Sequence, residues 1–249
     1  MGSAPILRFP CSIRVFLQVE RGGPVIDPAA SKHTSRHTPD AVSAAEDVYL
    51  CKVYEDVVVL DLKADRYLCL LDAGTWLHPQ PDGRLILGPD GPTEDLVAAD
   101  IAVRGFIDRQ RRASKTPTLE LSGSHKTSPI ETLWAALQIL EATQVFRRKT
   151  LEQLVAAAIR PPDIRGRRTT SAQAFGAYKH AVTWVPGEGE CLQRAFILKR
   201  VLAGRGIHAD WVFGVRTWPF GAHCWLQIDD MVVGDTLARV SNYTPIMVV

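Results

Sequence analysis

Cys191, His223 and Asp235 are three side chains of the types, and in the chain order, that suit nucleophilic acyl chemistry. A thiol attacks a carbonyl as its thiolate, and the unpaired N–H groups and macrodipole of a helix N-terminus favour that charge. The sequence puts Cys191 at such a point. Gly187-Glu188-Gly189-Glu190 breaks the chain after Pro186, and an apolar stripe of Cys191, Ala195, Leu198 and Leu202 then runs at helical spacing to a stop at Gly204. The stripe turns Cys191 toward the sheet on which its helix packs, and the strands downstream carry His223. Alternation over residues 222–228 sets Ala222, Cys224, Leu226 and Ile228 on one face and His223, Trp225 and Gln227 on the other. With a hairpin turn at Asp229-Asp230, the next strand brings Asp235 nearly opposite His223, where cross-strand Cβ atoms lie ~5 Å apart. Nucleophile, base and orienting carboxylate then form a Cys-His-Asp triad. The Cys191 thiolate attacks a scissile carbonyl, and His223 protonates the leaving amine and then activates water. The Cys191 backbone N–H is the expected oxyanion donor, with Trp184 or a group near Glu190 as the second.

The remaining cysteines and histidines have structural readings. Cys51, Cys69 and Cys224 lie on apolar strands and read as small buried hydrophobes. His180 and His208 read as structural residues. Five cysteines without a CxxC pair support neither a disulfide framework nor a zinc ribbon, and point to a reducing compartment. Cys191, His223, Cys224 and Asp235 are metal-ligand types, but their spacing matches no usual zinc pattern and residues 223 and 224 face opposite ways, so no metal is expected. No GxxxxGK[ST] or GxGxxG occurs, so no cofactor site is visible. A net charge of +2 gives no reason to expect nucleic acid, and no apolar run approaches the ~18 residues of a membrane helix. A cytoplasmic protein is the expectation.

These residues need a scaffold, and the chain divides into three parts. Residues 1–45 show no sustained periodicity and read as a flexible tail. Residues 46–118 begin with three β-rich runs, 48–54, 57–62 and 67–71, as an antiparallel meander, followed by a helical pattern over 93–111. The polar stretch 112–126 reads as a linker. Residues 119–249 open with helices: Ser128-Pro129-Ile130-Glu131 is a start signal, and Ile130, Leu133, Leu137 and Leu140 repeat at helical spacing. Capping boxes at Thr150 and Thr170 announce two more helices, the first stopped by Pro161-Pro162. Strands follow over 207–215, 222–228 and 231–234. The fold class is α+β.

Cys191-Leu192-Gln193-Arg194, the helix ending near Gly204-Arg205-Gly206, Pro219-Phe220-Gly221-Ala222-His223-Cys224-Trp225 and Val233-Gly234-Asp235 together resemble the transglutaminase-like B proteins of lasso-peptide biosynthesis. His223 follows Cys191 by 32 residues and Asp235 follows His223 by 12, in that family's order. The resemblance spans about residue 128 to the C-terminus. Cys224 stands where the family often has Ala, and Ala195 where Ser is common. The resemblance implies a transglutaminase/papain-like cysteine peptidase domain that removes the leader from a ribosomally made precursor peptide, before a partner, an asparagine-synthetase-like cyclase, closes the macrolactam. It also implies that residues 46–118 are a winged-helix-like leader-recognition domain binding the leader as an added strand along Tyr67, Leu68, Cys69, Leu70 and Leu71. ATP dependence is implied by the family alone. Two further readings of the same residues are a transglutaminase-type acyltransferase, with an amine in place of water, and a peptide-binding module without catalysis.

Overall fold

Alternating apolar residues build the first half of the chain as two small sheets. The computed structural model describes residues 14–16, 41–89, 91–107, 112–123, 126–159, 169–184 and 190–249. Its opening strands are β1 (Arg14–Phe16), β2 (Val42–Ala44), β3 (Val48–Val53), β4 (Asp56–Asp61), β5 (Arg66–Leu70), β6 (Leu77–Pro79) and β7 (Arg84–Leu87). A short helix α1 (Thr93–Ala98) and strand β8 (Ala102–Arg104) follow. One sheet has the order β1-β5-β4-β3 and contains the expected meander; the other has the order β6-β7-β2-β8. β2 falls within the expected tail, and its Val42 and Ala44 are buried, so ordered structure begins earlier than composition suggests.

The helix expected over 93–111 stops at Ala98. Asp100 takes a left-handed backbone (φ 56°), its N–H bonds to the Val97 carbonyl, and the Ile101 N–H reaches back to Leu96. Leu96 and Ile101 join the same apolar cluster, completing a Schellman stop with its hydrophobic contact. With α1 this short, the described residues of the first half form two packed sheets and do not by themselves show the expected winged helix. Apolar spacing continued past Asp100 because β8 follows at once, and a strand's residues filled the helical template.

Helices dominate the start of the second half. The segment expected as a linker contains β9 (Leu119–Glu120), which pairs in parallel with a strand of the last sheet. Its two residues are too few to show periodicity in the sequence. Then come α2 (Pro129–Arg147), α3 (Leu151–Ile159), α4 (Ser171–Val182) and α5 (Cys191–Gly204). Their caps are those the sequence announces. Ser128 Oγ accepts from the Glu131 N–H at 3.2 Å with Pro129 in the first turn, and Thr170 and Gln173 cap each other. Pro161-Pro162 lies outside the described residues. The stripe on α2 faces the other way from expectation: Ala135, Ile139 and Ala142 are buried, while Ile130, Leu133, Leu137 and Leu140 are exposed. Smaller residues take the inner face because α2 packs closely on α4 and α5.

The chain closes with β10 (Asp210–Arg216), β11 (Gly221–Ile228), β12 (Met231–Val233), α6 (Leu237–Val240) and β13 (Thr244–Val248). The sheet order is β13-β10-β11-β12-β9, with β11 and β12 joined through Asp229-Asp230 as expected. Cys224 and Leu226 point into the main core under α5, and Trp225 into a smaller cluster with Val212 and Val232. The strand alternation therefore holds. Among the described residues no helix is long and apolar enough to cross a membrane.

Both halves share one core. On β4, Val57 and Val59 face the β6-β7-β2-β8 sheet, while Val58 and Leu60 join Tyr67 and Cys69 in a cluster with Phe196, Trp211 and Phe213. All four β4 residues are fully buried. The Tyr67 and Phe220 rings lie 5.8 Å apart, and Trp218 Nε1 donates to the buried Asp56 carboxylate at 2.8 Å. Leu60→Ala therefore removes contacts from the second half as well, at ~2–5 kcal/mol. In urea unfolding, the tryptophan fluorescence of the second half and the β signal of both halves are expected to shift together. Separate transitions, with only one displaced, would contradict a shared core.

Candidate active site

Cys191 is the first residue of α5, preceded by Glu190 as an N-cap whose side chain makes no capping hydrogen bond. First-turn N–H groups are thus left without a side-chain acceptor from the cap, and the helix dipole favours negative charge at the sulfur. Behind Cys191 the stripe runs as the sequence indicates: Ala195, Leu198 and Leu202 are buried and Cys191 is half-buried.

His223 lies near the start of β11, on the stretch that pairs with β10 but has no partner in β12, since β12 pairs with residues 226–228 only. This open edge gives the imidazole room. Trp225 lies roughly parallel to it at 6.2 Å, and Tyr243, between α6 and β13, tilts against it at 5.2 Å. Gly214, opposite His223 on β10, makes that packing possible, because a Cβ there would lie 2.7 Å from the Trp225 ring and 2.9 Å from Tyr243. Sequence reasoning missed Tyr243, which joins the site only through tertiary packing. Trp225 was legible as the residue two positions along the same face.

The pairing of Leu226 with Val233, if extended, would set Thr236 across from His223. Gly234 intervenes. Its φ of +79° turns the chain, and its missing Cβ admits Leu198 of α5, whose Cδ2 would otherwise be 2.7 Å away. Asp235 therefore reaches His223 from the end of β12. His223 Nε2 and Asp235 Oδ2 are 2.6 Å apart, with the side chains 9% and 10% exposed. The carboxylate is held further by the Thr236 N–H at 2.8 Å and by Arg239, one helical turn on, at 3.6 Å.

The electrostatics follow from this packing. Burial on its own would lower the His223 pKa, but hydrogen bonds to Asp235 and Cys191, with the charges on both, outweigh it and hold the value at about 9. Nε2 is the ring nitrogen that faces Asp235. Burial likewise acts to raise the Asp235 pKa, but the His223 and Thr236 hydrogen bonds and the charges of His223 and Arg239 keep it below the usual carboxylate range. The arrangement favours an imidazolium flanked by two anions, which activates the thiol and supplies a proton for a leaving group.

The three residues line one groove of ≈ 930 Å³. Phe175 and Tyr178 of α4 form part of its wall, and residues 120–123 another part. This is the segment expected as a linker. Its Glu120 carboxylate accepts from the Leu237 N–H at 2.6 Å, tying it to the turn that carries Asp235. Glu190 also lines the groove, whereas Trp184 does not and is 82% exposed. The expected leader-binding residues lie elsewhere. Tyr67 and Cys69 are buried, Leu68, Leu70 and Leu71 half-buried, and β1 pairs in parallel along β5, with Val15 opposite Tyr67 and Phe16 opposite Leu68.

Comparison with known proteins adds two findings. Residues 133–248 match the family model of the transglutaminase-like superfamily, a span that contains Cys191, His223 and Asp235. A stretch of 48 residues is 42% identical to the microcin J25-processing protein McjB of Escherichia coli. That stretch covers 19% of this chain and 23% of McjB, so the chain spans about a quarter of the length of this relative. No solved structure matches significantly.

His223, with its pKa raised from 6.5 to about 9, stabilises the fold as imidazolium fully below about 6.5, and that contribution fades as pH rises through about 9. An NMR titration of the imidazole is expected to give a midpoint near 9 in the wild type. The midpoint moves to lower pH in Asp235→Asn and in Cys191→Ala, each of which removes one anionic neighbour. An unshifted midpoint in both variants would contradict the assigned contacts.

Proposed function

We propose that this chain, whose residues 133–248 match the transglutaminase-like superfamily model and which shares a 48-residue stretch with a microcin-processing protein, is a cysteine endopeptidase that removes the leader from a ribosomally made precursor peptide, as the B proteins of lasso-peptide biosynthesis do. The observation that carries the proposal is the placement of Cys191, His223 and Asp235 in one groove, with His223 hydrogen-bonded to Asp235 and its pKa raised by both neighbours. Cys191 is the nucleophile, His223 the acid and then the base, and Asp235 the group that fixes the imidazole's orientation and charge.

The steps balance without a further reactant. The Cys191 thiolate adds to the scissile carbonyl, the C–N bond breaks as His223 protonates the amine, and a thioester remains. Water, deprotonated by His223, hydrolyses that thioester and restores the thiol. The Cys191 N–H at the start of α5 serves as an oxyanion donor. No step needs a nucleotide. The ATP dependence implied by the family finds no GxxxxGK[ST] in this sequence, and no step is assigned to it.

In this reading residues 46–118 serve leader recognition, with the leader strand taking the place that β1 holds beside Tyr67, Leu68, Cys69, Leu70 and Leu71 of β5. The released core peptide passes to a cyclase of asparagine-synthetase type.

Mass spectrometry of the precursor from the chain's own gene cluster, incubated with the protein, tests the reading. Cleavage yields two fragments whose masses sum to the precursor plus one water. Cys191→Ala is expected to lower the rate by at least ~10³-fold, the scale of losing a nucleophile from a triad. An isopeptide-linked product would establish acyl transfer to an amine instead, and an intact precursor bound by the protein would leave a binding module.

A further inference from the structure

One short segment reaches His223 twice. Asp235 meets Nε2 at 2.6 Å, and eight residues on Tyr243 lays its ring against the same imidazole, with centroids 5.2 Å and planes 39° apart. Between the two contacts α6 folds the chain back. Thr236 caps it, with Oγ1 accepting from the Arg239 N–H at 3.3 Å, and the Tyr243 N–H donates to the Val240 carbonyl at 3.0 Å. Val240 is buried with Val212, Trp225 and Val232, and the half-buried Tyr243 packs on that cluster.

The sheet beneath is shaped to admit the ring. On β13, Met247 pairs with Phe213 of β10 but Pro245 pairs with Gly214, so Ile246 is the extra residue of a bulge. Bulges bend a strand and re-aim the side chains beside them, and they recur next to active sites. This one falls at Gly214, the residue that pairs with His223 on the other side of β10. A Cβ at Gly214 would lie 2.9 Å from the Tyr243 Cβ, so glycine and bulge together seat the tyrosine over the strand beside the imidazole. The Arg216 guanidinium, 5.5 Å from the centre of the Tyr243 ring, gives that ring a further contact.

We propose that Tyr243 is a positioning residue for His223, its ring fixing the plane of the imidazole so that Nε2 stays on Asp235. The hydrogen bond by itself fixes one atom. The outer side-chain torsion of a histidine is broad, so Nε2 can keep its carboxylate over a range of ring planes, and contacts along the ring remove that freedom. Trp225, 6.2 Å from the imidazole, supplies another such contact. Tyr243 also lies within the ~6 Å over which an aromatic face attracts a cation, and so favours the imidazolium. The other charges acting on the imidazole are those of Asp235 and Cys191, with Arg239 reaching it through Asp235 and Arg216 through Tyr243. This role rests on the reading of Cys191, His223 and Asp235 as a triad, but it is measurable without a substrate.

Tyr243→Leu removes the ring and still covers the cluster beneath it, whereas Tyr243→Phe keeps the ring. An aromatic pair is worth up to about tenfold in an equilibrium, so Tyr243→Leu is expected to lower the imidazole midpoint, measured by NMR in the full chain, by roughly half to one pH unit. The acid limb of the pH profile for Cys191 alkylation by iodoacetamide should move up by a comparable interval, because an imidazolium out of place supports the thiolate less. Tyr243→Phe should restore both. A Tyr243→Leu protein that melts earlier with both profiles unmoved would show a merely structural residue and overturn the proposal. Equal shifts in the Leu and Phe variants would assign the effect to the hydroxyl and overturn it as well. In the wild type, nuclear Overhauser contacts are expected between the imidazole protons of His223 and the ring protons of Tyr243, and their absence overturns the proposal even if Tyr243→Leu does not fold. A wild type that meets these expectations but leaves the precursor intact upholds the role of Tyr243 and removes the peptidase.

Discussion

The short contact between His223 and Asp235 is the interaction on which the rest of this site depends. A buried imidazole is held neutral by desolvation unless an anion stands beside it. Asp235 is that anion, and Cys191 at the start of α5 is the second. The contact exists because Gly234 turns the chain out of β12 and lets Leu198 fit beneath it, while Gly214 clears space for the two aromatic rings beside His223. Removing either glycine's freedom would move a ring or a carboxylate, and with it the charge on His223.

The sheet of the first half supports the same construction from behind. β4 is buried on both faces, and its Val58 and Leu60 complete the core under α5 and β10. The turn leading into β11 is fastened by Trp218 to Asp56 and packed by Phe220 on Tyr67, only three residues before His223. β9, which enters the groove's wall, fastens the other side through Glu120 and the start of α6. The residues of the proposed triad are few, but the elements that hold them come from the whole described chain.

Much of this was legible in the sequence wherever signals were local. The caps at Ser128 and Thr170, the stripe behind Cys191 and the alternation through His223 and Trp225 depend on neighbours within a turn or a strand, and they appear as read. Non-local packing was hidden. Nothing near Tyr243 marks it as a neighbour of His223, and the two residues of β9 are too short to carry a period. The helix expected beyond Asp100 failed because a left-handed residue and an adjoining strand imitate helical spacing. The α2 leucines have the right period but the wrong partner, since periodicity reveals that a face is apolar and not what covers it.

Covalent labelling with limiting iodoacetamide at neutral pH, mapped by mass spectrometry in the wild type and in His223→Ala, tests the central claim most directly. Burial pushes the Cys51 and Cys69 thiols up to about 12, so neither competes as a thiolate at that pH. The account predicts that Cys191 reacts far faster than the buried cysteines and loses that advantage without His223. Uniform labelling, or a Cys191 rate indifferent to His223, would contradict an activated thiolate and with it the peptidase.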